Sequence, residues 1–195
     1  MKYLLALLLT LQSFCYQACG VNLPLPMPMA EATSQFATHT EVSGTVSRIW
    51  DGDTVTLDTG DRKLRIRIAG IDAPETDQPF GRQSTHMLRY LALNKPVKAH
   101  IFTQDKYHRY IARLYLQQTP EVTPPASAVY PAGIDIGQLM LARGMAWHYY
   151  FFDKEDPYYY HYQKAERQAR QEGLGIWQEL NPTPPWRHRN EKTAA

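Results

Sequence analysis

Residues 54 to 68 read Thr54-Val55-Thr56-Leu57-Asp58-Thr59-Gly60-Asp61-Arg62-Lys63-Leu64-Arg65-Ile66-Arg67-Ile68, two strands joined by a turn. Thr54 to Leu57 is β-branched and apolar, Thr59-Gly60-Asp61 is turn chemistry, and Leu64, Ile66 and Ile68 alternate with Arg65 and Arg67. Successive side chains of a strand point to opposite faces, so the aliphatic set lines one face and the guanidinium groups stand on the other. Arg67 therefore points away from the core.

Toward the N-terminus, Asp51-Gly52-Asp53 is a turn, and Val42, Val46 and Ile49 mark an earlier strand. Toward the C-terminus, Gly81 to Asn94 predicts a helix with Met87, Leu88 and Leu91 as its apolar stripe, and Val97 to Phe102 and Tyr110 to Leu116 predict two more strands. Thr119 to Gly133 holds Pro120, Pro124, Pro125 and Pro131 and reads as a surface loop. Ile136 to Arg143 is a short helix closing at Gly144. A last helix starts after Asp156 as cap, with Pro157 in its first position, and runs to Gly173 with Tyr162, Ala165 and Ala169 on one face. The folded domain is thus placed at residues 41 to 180, and 181 to 195, rich in proline and then in charge, as a disordered tail.

The 195 residues carry 21 Lys and Arg against 19 Asp and Glu, with 44% hydrophobic and 12% aromatic residues, which fits one globular domain and excludes a disordered or fibrous chain. A formal charge of +2 gives no global basic field, so affinity for a polyanion depends on where the basic residues sit. Cys15 and Cys19 both lie near the N-terminus, which excludes a disulfide framework or a cysteine zinc site in the body. The histidines are scattered, with no pair at the helical spacing of a zinc site. Lys2, the apolar run Leu4 to Leu9 and Ala18-Cys19-Gly20 have the layout of a signal peptide over residues 1 to 20, so a secreted or periplasmic protein is expected. The run is too short to span a bilayer. An amphipathic N-terminal helix is the other reading of this stretch, and lipid attachment at Cys19 the other processing route, although Tyr16 stands where lipoprotein signals usually have Leu. Residues 21 to 40, with Pro24, Pro26 and Pro28, read as a flexible tether.

Four carboxylates, Asp51, Asp53, Asp72 and Glu75, fall in two short segments at strand ends. Oxygen donors of this kind suit a hard cation, calcium tolerating irregular geometry better than magnesium. The same residues also suit a tight turn about Gly52 and a helix start about Pro74. Arg67 lies five positions before Asp72, and Lys106-Tyr107-His108-Arg109 is a second basic and aromatic segment. A carboxylate-bound metal flanked by guanidinium groups is what phosphoryl chemistry requires, because charge developing on phosphate oxygens must meet fixed cations. Either arginine alone also reads as a solvated charge on a strand face.

Three segments, Asp51-Gly52-Asp53-Thr54-Val55, Arg67-Ile68-Ala69-Gly70-Ile71-Asp72-Ala73-Pro74-Glu75 and Asp105-Lys106-Tyr107-His108-Arg109, resemble in order and spacing the motifs of the staphylococcal (micrococcal) nuclease family. Phe80-Gly81, Gly144-Met145-Ala146 and the run from Ala165-Glu166 to Gly175-Ile176-Trp177 extend the resemblance over about residues 41 to 180. It implies an α+β fold, an oligonucleotide-binding (OB-fold) barrel of five strands with three helices. It also implies a calcium-dependent endonuclease acting on DNA and RNA with little sequence preference and leaving 3′-phosphate ends. Within that pattern Asp53 and Asp72 would bind Ca2+ together with the main-chain carbonyl of Ala73, and Asp51 would stand behind them. Glu75 would activate or position the attacking water, Arg67 would hold the scissile phosphate, and Arg109 would stabilise the five-coordinate transition state. Lys106, Tyr107 and Tyr150 would line the substrate site, where rings stack on any base. Trp147, Phe151 and Phe152 are expected to pack the last helix on the barrel. The chain departs from the pattern at Ala73, where Thr is frequent, at His108, where Gly is usual, and in the longer loop at 119 to 133. No stable protein partner is implied and a monomer is expected. The alternative is the same barrel as a non-catalytic module of the cell envelope, holding nucleic acid or protein.

Overall fold

Ten residues of alternating pattern, Thr40–Ile49, form β1, and the turn at Asp51 to Asp53 returns the chain as β2, Thr54–Asp58. β3, Lys63–Ile68, then pairs with β2 so that Arg67 lies opposite Thr54 and Arg65 opposite Thr56. The computed structural model describes residues 40–117, 124–125, 128–149 and 158–194. The signal peptide, the tether up to residue 39, Tyr150, Phe151 and Phe152, and the cap expected at Asp156 and Pro157 lie outside the described residues.

After the two-residue strand β4, Ile71–Asp72, the chain enters α1, Gly81–Ala92, and returns to the sheet as β5, Pro96–Gln104, and β6, Tyr110–Leu116. The strands are ordered β3-β2-β1-β5-β6, and β6 runs parallel beside β3, with Ile111 opposite Arg67. That pairing closes the five strands into the expected barrel and leaves no free edge among them. Its inner face is aliphatic: Val46, Val55, Leu57, Ile66, Ala99 and Leu114 are fully buried. Leu88 and Leu91 of α1 pack on this core, and each such side chain contributes about 1.5–3 kcal/mol by leaving water.

The second half differs from expectation in three places. The stretch read as a surface loop at 119 to 133 ends in a hairpin, β7, Val129–Tyr130, with β8, Gly133–Asp135, which joins the barrel through β6. Ala128 is buried there while Val129 stays exposed, and the Tyr130 hydroxyl donates to Gln138 Oε1 at 2.7 Å; residues 119–123 and 126–127 of the expected loop lie outside the described residues. Asp135 caps α2, Ile136–Ala142, by accepting from the Gln138 amide at 3.0 Å. β9, Trp147–His148, pairs with β4, placing Trp147 opposite Asp72. α3, Tyr159–Gln171, buries Tyr162, Ala165 and Ala169, the stripe the spacing predicts, and Trp147 is buried as expected. It begins without a side-chain cap, Tyr158 holding the capping position. The expected disordered tail is instead a fourth helix, α4, Pro185–Ala194. Proline in a first-turn position, where its missing N–H costs nothing, favours helix entry just where the proline content suggested disorder.

Candidate active site

The turn before β2 is built for close approach. Asp51 Oδ1 accepts from the amides of Asp53 at 3.0 Å and Thr54 at 2.7 Å, which folds the turn on itself. A side chain at Gly52 would put its Cβ 2.0 Å from Ser84 Oγ and 2.6 Å from Ala73 Cβ, so only glycine lets this turn dock on α1 and on the segment after β4. Asp53 is thereby carried to Ala73: its Oδ2 accepts from the Ala73 amide at 3.0 Å, and its Oδ1 from Thr54 Oγ1 at 3.0 Å.

Arg67 joins the two carboxylates. Its Nη1 lies 3.2 Å from Asp53 Oδ2 and donates to the Ile71 carbonyl at 2.9 Å, while its Nη2 lies 2.8 Å from Asp72 Oδ1. Glu75 follows on the same segment, held by its amide donating to Gln78 Oε1 at 2.8 Å. The start of α1 presses on it: a Cβ at Gly81 would stand 1.8 Å from the Glu75 carbonyl oxygen. Asp51, Asp53, Arg67, Asp72, Ala73 and Glu75, scattered over twenty-five positions of sequence, thus form one cup.

Arg109 is brought to the neighbouring strand but makes no ion pair with the cup. Its Nε and Nη2 both lie 2.8 Å from Asp105 Oδ2, and the loop amides of Tyr107 and Arg109 donate to Asp105 Oδ1. Burial works against the Asp105 charge, yet these hydrogen bonds hold its carboxyl below the usual range. His108 has φ 60, the left-handed conformation that glycine takes without strain, so the loop keeps its shape despite the side chain. Tyr107 is exposed, with Lys106 Nζ 5.1 Å and Arg109 Cζ 5.5 Å from its ring centroid.

A residue that the sequence pattern did not assign completes the cup. Arg189 of α4 places Nη2 2.7 Å from Asp72 Oδ2 and Nη1 2.8 Å from Glu75 Oε1 and 3.2 Å from Asp72 Oδ1. Its only sequence signal is the basic run Arg187-His188-Arg189, which reads equally as a solubilising tail.

The electrostatics follow from burial. Asp51 is pushed up to about 6 by burial and then by the neighbouring charge of Asp53. Asp72 is also raised, burial outweighing the hydrogen bond from Arg189 and the charge of Arg67. Burial opposes the Arg67 charge, but Asp53, Asp72 and Asp51 together hold its pKa above the usual value. Four carboxylates face the two guanidinium groups of Arg67 and Arg189, an excess of two negative charges when all are ionised. A divalent cation taking the place of Arg189 would offset most of the negative charge left there, and the donors are hard oxygens, so the residues fit calcium. Among the described residues no three His, Cys, Asp or Glu side chains form a metal-binding group. The oxygens that would be offered to a cation are those of Asp53, Asp72 and the Ala73 carbonyl, which accepts no hydrogen bond from a described residue.

Comparison with known proteins places the chain in a family. Residues 65–179 match the family described as staphylococcal nuclease homologue. The chain is 34% identical over 152 residues to a protein of Escherichia coli O157:H7 named "uncharacterized endonuclease", spanning 78% of this chain and 88% of that one. It is 34% identical over 151 residues to a micrococcal nuclease of Shigella flexneri, spanning 75% of this chain and 79% of that one. A staphylococcal-like nuclease of Arabidopsis thaliana is 32% identical over 131 residues, 67% of this chain and 35% of the plant protein.

Proposed function

This chain belongs to the staphylococcal nuclease family, and from that premise we propose that it is an exported, calcium-dependent nuclease that hydrolyses phosphodiester bonds of DNA and RNA with little sequence preference. The observation that carries the reading is the convergence of Asp53, Asp72 and the Ala73 backbone beside Arg67, with Glu75 joined to Asp72 through Arg189. Asp53, Asp72 and Ala73 would hold Ca2+, which polarises a phosphate oxygen and offsets charge in the transition state.

The remaining work falls to side chains of the chain itself. Glu75, at the rim of the cup, positions a water and takes its proton as the water oxygen attacks phosphorus. Arg67 holds the non-bridging oxygens, a task for which its planar fork is suited. The bond from phosphorus to the 5′ oxygen breaks and that oxygen takes a proton from solvent water, leaving a 3′-phosphate and a 5′-hydroxyl. Arg109 keeps Nη1 without a partner among the described residues and meets the growing charge on the phosphate and the departing oxygen. Tyr107, Lys106 and Tyr150 serve as sequence-tolerant contacts. Because Arg189 occupies oxygens of both Asp72 and Glu75, it must withdraw for the cation and the water to take their places.

The test is digestion of a closed circular plasmid and of single-stranded RNA by the folded protein, with calcium and then with excess chelator. Degradation only with calcium, giving 3′-phosphate ends, supports the proposal. No degradation in either condition overturns it in favour of the non-catalytic barrel. Export rests on the apolar run Leu4 to Leu9, and retention of a Leu7→Arg variant inside the producing cell is its check.

A further inference from the structure

We infer that the outer face of β1, β2 and β3 beside Arg67 is a second substrate contact, in which Trp50, Arg48 and Arg65 hold the base and phosphate of a nucleotide adjoining the scissile one. This rests on the nuclease reading above. Thr56 is paired with Arg48 on one side and Arg65 on the other, so these residues form one cross-strand row. The next row on the same face holds Thr54 and Arg67, about 6.8 Å further along the strands. Trp50 directly follows β1, its Nε1 donating to Thr56 Oγ1 of the first row at 2.9 Å. The Arg48 guanidinium lies 3.6 Å and that of Arg65 4.5 Å from the centroid of its ring.

Two features separate this cluster from an ordinary covering of an exposed ring. Trp50 remains 39% exposed, and the bond to Thr56 fixes the orientation of its ring. Arg67, Arg109, Arg170, Arg187 and Arg189 each meet a carboxylate, whereas Arg48 and Arg65, like Arg62, Arg82, Arg89 and Arg167, meet none among the described residues, and only Arg48 and Arg65 of these six lie over an aromatic ring. A guanidinium that lies over a ring keeps its N–H edges directed outward. Two uncompensated guanidinium groups beside an aromatic surface, in line with the phosphate-holding arginine, fit single-stranded nucleic acid and its sequence-tolerant stacking.

The test uses the full chain, an Arg48→Ala/Arg65→Ala double variant and a Trp50→Ala variant, all shown to be folded. Binding of fluorescent oligothymidylate is measured in chelator across a salt series. The double variant should lose roughly 0.7 from the slope of log affinity against log salt, as one single-strand phosphate contact disappears. Trp50→Ala should weaken binding about tenfold. With calcium, both should raise KM for a long oligonucleotide. Unchanged slope, affinity and KM overturn the contact alone, provided the parent cleaves. A parent that neither binds nor cleaves overturns the nuclease reading as well.

A separate observation concerns α4, and there the geometry points to an autoinhibitory latch that withholds Asp72 and Glu75 from the cation. This too takes its meaning from the proposed role of the cup. Besides the Arg189 contacts, His188 Nε2 lies 3.3 Å from Asp77 Oδ1, and Lys192 pairs with the same carboxylate. Trp186 rests on Trp147 with ring centroids 5.7 Å apart, yet Pro185 is the single buried residue of the helix. Charge holds the latch more than apolar burial does, so salt and divalent cations should open it.

Calcium binding followed by calorimetry, and tryptic cleavage in α4, test it on the full chain and an Asp77→Asn variant. Asp77→Asn removes an anchor while leaving the cup intact. It also removes a nearby negative charge, so electrostatics alone would weaken calcium binding. The latch predicts severalfold tighter binding, and faster cleavage after Arg187 or Arg189 once calcium is present. Equal or weaker binding with calcium-independent cleavage overturns the latch. Absence of calcium binding in both proteins overturns the cation site with it.

Discussion

Two guanidinium groups close on Asp72, and the chain holds them in opposite ways. Arg67 stands on β3 between β2 and β6, its side chain 14% exposed and fixed by two carboxylates and the Ile71 carbonyl. Arg189 stands on a polar helix, its side chain 43% exposed, with no strand ladder behind it. The barrel therefore builds the chemistry, and the appended helix decides whether its oxygens are available.

The sharpest way to break that contrast is to delete each arginine. Arg67→Ala should lower kcat on the order of 10²–10³-fold. Arg189→Ala should leave activity at saturating calcium at least equal to that of the parent. Steady-state digestion of one oligonucleotide by both variants checks this, and equal losses would make the two arginines equivalent. Next in size is Gly52→Ala, which has no room beside Ser84 and Ala73. Moving the Asp51 to Asp53 turn should reduce activity roughly tenfold or more, since misplacement by about 1 Å at a catalytic centre costs up to 10²-fold. It should also lower the melting temperature, which calorimetry reads.

A third test addresses β9, against which both sides lean: Trp147 pairs with Asp72 and carries Trp186. His148 beside it is lowered from 6.5 to about 4 by burial and then by the charge of Arg113. It faces the rings of Tyr159 and Tyr162, and its amide donates to Glu166. Between these values the unfolded chain binds a proton that the folded chain refuses, so this stabilisation is complete above about pH 6.5 and lost toward pH 4. His148→Gln should flatten the fall in melting temperature over that window. The smallest effect is expected at His108→Gly, which relieves a left-handed backbone and should stabilise by about 1 kcal/mol in chemical denaturation without changing kcat.

Much of the barrel side was legible in the sequence because alternation and turn chemistry are local. Leu64, Ile66 and Ile68 point inward and Arg67 outward by strand geometry alone, and the stripe Tyr162, Ala165 and Ala169 follows from helical spacing. Asp53 and Asp72 could be named as partners through the family resemblance, and the hydrogen bond from the Ala73 amide to Asp53 gives that pairing its physical form. Arg189 was not legible. Its contacts span 114 and 117 positions and depend on where α4 docks, which no local pattern encodes. The hairpin of β7 and β8 was hidden likewise, because its pairing with β6 is tertiary and its prolines suggested only a loop. Arg109 was identified as a site residue, but its partner Asp105 was not, since four-residue loop spacing is common to many turns.

The most direct test of the account sets the parent beside Arg67→Ala, both folded, on closed circular plasmid in one calcium-containing buffer. The parent should nick and degrade the plasmid while the variant leaves it closed over the same period. Equal degradation by the two proteins would contradict the account, because the cup organised by Arg67 would then not be where the phosphodiester is cut.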